Sequence, residues 1–136
     1  MPGARLGRVM GLEVADMARL ARSLWEIAAD EAEDAQVAIA WVVRNLIAGR
    51  GKSVEESCEC LRSLRPDQAG DRTRECGFSD RGYCRTFSIL CRVWAGDIDD
   101  PTSGATTAHR HDEAPAWAED IAATALIGPW LFYRRD

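Results

Sequence analysis

The stretch Gln36-Val-Ala-Ile-Ala-Trp-Val-Val-Arg-Asn-Leu46 constrains this chain more than any other. From Val37 to Val43 it has no polar side chain, so neither the helical nor the strand period gives it a clean solvent face. A helix that is apolar nearly all round is normally a buried, central one. Val and Ile also suit a strand, and a short apolar run is ambiguous on periodicity alone. Ala38, Ala40, Trp41 and the helical patterns on either side favour the helix. Asp30 and Asp34 offer short acceptors near its start, and Gly49 stands where a helix tends to stop. The remaining elements are expected to pack around it.

Upstream, Val14, Met17, Ala18, Ala21, Leu24, Trp25 and Ala28 recur at the spacing of one helical face, which predicts an amphipathic helix over 13–29. The acidic turn 30–34 then suits a helix N-terminus. Downstream, Ser53 and Glu56 form a capping box that opens a helix ending before Pro66. Residues 65–80 have no period and read as a long loop. A fourth helix spans 81–95, with Tyr83, Phe87, Leu90, Cys91 and Trp94 inward and Gly96 as its stop. Residues 105–111 suit a short strand, and 116–122 a helical turn or two. Residues 125–133 suit a closing strand bent at Gly128 and Pro129. The expected fold class is mainly α (α+β), with a small antiparallel β-hairpin near the C-terminus.

A chain of 136 residues is most simply one domain, here with residues 1–12 as an N-terminal extension. Its net charge of −5 provides no basic patch to neutralise phosphates, which argues against nucleic acid as a partner. No apolar run approaches the ~20 residues that span a bilayer, and no secretory signal is evident, so no membrane partner is expected. The five cysteines, Cys58, Cys60, Cys76, Cys84 and Cys91, fit no zinc spacing. Free buried thiols are the first reading. A disulfide from Cys58 or Cys60 to Cys76 or Cys84 is the second, and a metal cluster the third. Neither a metal nor another cofactor is expected.

Several segments resemble, in order, the cell wall hydrolase family of the spore-cortex-lytic type. They are Trp25-Glu-Ile-Ala-Ala-Asp-Glu31 followed by Gln36-Val-Ala-Ile-Ala-Trp-Val-Val-Arg-Asn45, Phe78-Ser79, Asp100-Pro-Thr-Ser-Gly-Ala-Thr-Thr-Ala-His109, Pro115-Ala-Trp-Ala118 and Ile127-Gly-Pro-Trp-Leu-Phe-Tyr133. The resemblance implies a lysozyme-like helical domain with peptidoglycan as its partner. It also implies cleavage of glycan strands, usually by lytic transglycosylation. One carboxylic acid protonates the leaving oxygen, and the sugar's own 6-hydroxyl closes on the anomeric carbon. The same resemblance places Ser79, Thr106, His109 and Trp117 along the substrate cleft. Trp130 is a further candidate to stack on a sugar, whereas Trp25 and Trp41 read as core.

The chain departs from the family at the acid. An ungapped count from Gln36 places Ile27 where the family has its catalytic Glu, and Glu31 at its second Glu. Glu26 lies one residue, ~100° of helix, away. Three outcomes follow: Glu26 serves after a local shift, Glu31 substitutes, or the site is dead. Glu26 is otherwise a surface partner of Arg22, and Glu31 a helix-start charge. Thr107 replaces the first of the family's paired histidines, leaving His109 as the second. His111 lies outside the match, and without a third ligand the two do not suggest a metal site. A wall hydrolase without a secretory signal is expected to reach peptidoglycan by phage-type release or as part of a virion, alongside other virion or tail proteins. The other class is a non-catalytic glycan-binding or structural relative.

Overall fold

The computed structural model describes residues 8–9, 12–66 and 81–135. Two short strands, β1 (Arg8–Val9) and β2 (Leu12–Glu13), pair antiparallel. The chain then runs through α1 (Val14–Ala28), α2 (Glu33–Arg44), α3 (Val54–Leu64) and α4 (Arg81–Ala95). Three further strands follow: β3 (Thr107–Arg110), β4 (Ala125–Ile127) and β5 (Trp130–Tyr133). They form one antiparallel sheet in the order β3-β5-β4, with Ala108 opposite Phe132 and Leu126 opposite Leu131. The architecture is therefore mainly helical with a small sheet. The stretch expected to be an N-terminal extension ends in the β1–β2 ribbon, and β1 packs on α1 and α4.

α2 is buried as its composition requires: from Ala35 to Val43 only Trp41 keeps appreciable exposure. Trp41 is at the edge of the core rather than inside it. Its Nε1 donates to the Ile98 carbonyl at 3.1 Å, and the Arg44 guanidinium sits 4.6 Å above its ring. The hub role expected of α2 alone is shared with α1, which packs on both α3 and α4. Met17, Leu20, Ala21 and Leu24 form the buried stripe of α1, and by its last turn even Trp25, Ile27 and Ala28 are enclosed. Burying each of the larger of these side chains stabilises the fold by about 1.5–3 kcal/mol.

The ends of the helices follow local chemistry. Neither Asp30 nor Asp34 caps α2; Ala32 is its N-cap residue, and Asp34 takes the Ala35 N–H at 2.9 Å within the first turn. Beyond Arg44 the helix widens into a π-helical turn (Asn45–Gly49). At α3 the capping box is complete: Ser53 Oγ accepts the Glu56 N–H at 3.1 Å, and Glu56 Oε1 accepts the Ser53 N–H at 3.0 Å. Ser53→Ala should cost ~1 kcal/mol in urea unfolding; a change below ~0.3 kcal/mol would show that α3 is held by packing alone. Gly96 ends α4 at φ +80, a conformation that side chains with a Cβ resist.

The segment 125–133, expected to be one bent strand, is a tight hairpin. Gly128 adopts φ +56 between β4 and β5, so the bend becomes a reversal. The expected helical turn at 116–122 is a 3₁₀ turn, Ala116–Ala118. Cys58, Cys60 and Cys91 are free thiols, so no bridge runs from Cys58 or Cys60 to Cys84. Burial raises the Cys60 thiol pKa above the usual range, chiefly by desolvation, and does the same for Cys91. Cys76 lies outside the described residues. No described helix is long and apolar enough to cross a membrane.

Candidate functional site

The Asp100 motif and the α2 motif meet. Asp100 accepts the Thr102 N–H at 2.7 Å, the Thr102 hydroxyl at 2.6 Å, the Gly104 N–H at 3.0 Å and Asn45 Nδ2 at 3.1 Å. Burial pushes the Asp100 carboxyl up, but these hydrogen bonds outweigh it and hold its pKa below the ordinary value. Asn45 Nδ2 also donates to the Ala105 carbonyl at 3.0 Å, fixing the strand approach to β3. At the other end of α2, Gln36 Oε1 accepts the Thr86 hydroxyl at 2.9 Å, a buried contact with α4. These motif residues position the sheet against the helices, and none of them lines the groove that results.

What they position is a groove between α3 and β3. One part, of about 520 Å³, is lined by Ser63, Leu64, Thr107, His109, Trp117 and Arg135. A second part, of about 250 Å³, shares Ser63, Leu64, Thr107 and Arg135 with the first and continues past Thr106 to Lys52. Thr106, His109 and Trp117, separate in the sequence, thus line one groove. Ser79 lies outside the described residues.

The wall of the groove is an aromatic cluster. His109 stacks on Tyr133 with ring centroids 5.3 Å apart, and Trp117 meets both rings edge-on at 5.8 and 5.2 Å. His109 Nδ1 is 2.7 Å from the Arg110 carbonyl, which can only accept, so Nδ1 carries the proton. In the neutral ring Nε2 is then the acceptor, and the Tyr133 hydroxyl donates to it at 2.9 Å. Both nitrogens are thereby committed within the protein. His109, expected to hydrogen-bond sugar, instead braces Tyr133 and offers the groove only its ring. Trp130, the other stacking candidate, is fully buried in the core with Arg110 5.7 Å from its ring centre, so it has no face to present.

The groove lacks the expected carboxylates. Ile27, which the resemblance aligns with a catalytic acid, is 1% exposed and part of the core. Glu26 is neither a cleft residue nor an exposed one. It is buried between α1 and α3, with Arg22 Nε at 3.2 Å and Arg62 Nε at 4.0 Å. A separate cavity of about 400 Å³ between the same helices is lined by Arg22 and Arg62 but not by Glu26. Glu31 is clamped. Its Oε2 accepts from Arg65 at 3.3 Å and from Arg110, while Arg85 donates to its backbone carbonyl at 3.0 Å. Its role is therefore more than that of a helix-start charge, because it joins α3, α4 and β3 to the α1–α2 turn.

Sequence reasoning missed Arg135, Lys52, Ser63 and Glu113 as groove residues. None belongs to a motif, and only the packing of α3 on β3 brings them together. Among the described residues no group of three or more His, Cys, Asp or Glu side chains is arranged to hold a metal. Comparison with known proteins leaves the site to its geometry: no family model matches the chain, and no curated protein or solved structure matches it.

Proposed function

We propose that this chain is a lysozyme-like protein that binds peptidoglycan glycan strands in the α3–β3 groove without cleaving them. The reading rests on one observation: the groove has an aromatic and hydroxyl lining suited to sugars, whereas Ile27, Glu26 and Glu31 are all absent from it. Lytic transglycosylation needs a protonated carboxyl at the leaving oxygen. Glu113, the one carboxylate among the described residues of the groove lining, lies at its Pro115 end and accepts the Arg110 N–H at 3.2 Å. The helical body with a small antiparallel sheet beside the groove supports the lysozyme-like reading, as does the order of the motifs.

A second reading keeps the enzyme. Glu31 is a largely buried carboxylate held by Arg65 and Arg110, and these follow the groove residues Leu64 and His109 in the chain. Incubation with purified sacculi separates the two. The binder should co-sediment with them and release no soluble muropeptides, and Glu26→Gln and Glu31→Gln should change neither result beyond effects on stability. Anhydro-muropeptides that vanish in Glu31→Gln would make the protein a lytic transglycosylase. Failure to co-sediment would remove the glycan reading altogether.

A further inference from the structure

The charge of the groove opposes that of the chain. With a net charge of −5 overall, the protein nonetheless places Arg135 in both parts of the groove and Lys52 in one, against a single carboxylate, Glu113, among the described lining residues. Lys52 is only loosely matched, 3.9 Å from Glu56 with both side chains well exposed, and such a pair contributes little. Among the described residues no carboxylate lies within ion-pair distance of Arg135. Its guanidinium instead lies over the Trp117 ring, 4.8 Å from the centroid.

The backbone beneath Arg135 is pinned. Its N–H donates to Thr106 Oγ1 at 2.9 Å, and the Thr106 hydroxyl donates to its carbonyl at 2.8 Å. Trp117 is braced in turn by His109 and Tyr133. A guanidinium stacked on an indole keeps its N–H edge available for a planar anion, and stacking reduces the rotamer freedom lost when that anion binds.

We infer that the groove selects an acidic glycan strand and that Arg135 is the residue that reads its carboxylate. This rests on the glycan-binding reading above and adds the chemistry of the preferred strand. In peptidoglycan that carboxylate has two sources: the lactyl group of a muramic residue without its stem peptide, or the stem peptide itself.

Titration calorimetry of the whole chain with three tetrasaccharides tests this. The probes are neutral chitotetraose, a stem-free N-acetylglucosamine–N-acetylmuramic acid tetrasaccharide, and the same strand carrying stem peptides. One or both acidic strands should bind about tenfold tighter than chitotetraose at low salt, the worth of one charge-assisted contact. The stronger of the two identifies the source. Arg135→Gln should bring that preference to within about twofold, and Arg135→Lys should restore part of it. Arg135 is exposed, so these variants should fold, and unchanged thermal unfolding would verify it. Equal binding of all three strands by the wild type, or a preference that survives in Arg135→Gln, would overturn the inference and leave glycan binding standing. No binding of any strand, nor of sacculi, would overturn both.

Discussion

Glu31→Ala should lower stability by about 3 kcal/mol, the usual cost of breaking a largely buried ion pair by removing one partner. The carboxylate is 9% exposed, and Arg65 and Arg110 are 18% and 23% exposed, so two largely covered guanidiniums would lose their acceptor together. For a domain of this size the melting temperature should fall by roughly 10 °C. Glu31→Gln should fall less, because the amide oxygen still accepts one hydrogen bond. If Glu31→Ala instead melts within about 2 °C of wild type, the clamp is not structural. The carboxylate would then be spare for chemistry, and the enzymatic reading would gain.

The second large effect belongs to Asp100. Asp100→Ala strands the Thr102 and Gly104 N–H groups and Asn45 Nδ2, and should cost ~2–3 kcal/mol. Its folded pKa is lowered, so its contribution is fully present above the unfolded value of 3.8 and is lost as pH falls through the lower folded value. Urea unfolding of wild type and Asp100→Asn should therefore show a gap that is steady near neutrality and narrows in acid below pH 3.8. A gap that stays constant throughout the acid limb would show that shape, not charge, carries the contact.

The helices were legible because burial leaves a periodic trace. Met17, Leu24 and Trp25 announce α1, and Ser53 with Glu56 announces α3 by a purely local hydrogen-bond pattern. The division of 125–133 into two strands was hidden, since it depends on Gly128 taking a positive φ that a bend would not need. The burial of Trp130 and the partners of the His109 nitrogens were hidden for a common reason. A polar aromatic in a motif looks the same whether its ring meets a ligand or the core, and only the partners of its nitrogens and its burial separate the two. The Arg22 partner of Glu26 was legible at i−4, but Arg62 beside Glu26 and Arg65 and Arg110 on Glu31 are distant in sequence and were not. Thr106, His109 and Trp117 were named from the sequence, but Lys52, Ser63, Glu113 and Arg135 were beyond reach, being added to the groove by long-range packing.

β5 is the middle strand of the sheet although it follows both of its neighbours in the sequence. During synthesis β3 and β4 are made first and have nothing to pair with until Trp130–Tyr133 has emerged. The helices can associate earlier, through largely local contacts. A ribosome stalled anywhere short of Tyr133 would therefore carry a helical nascent chain with one wall of its groove absent. The sheet side of the groove would thus close only after β3 and β4 have both been made, when β5 inserts between them.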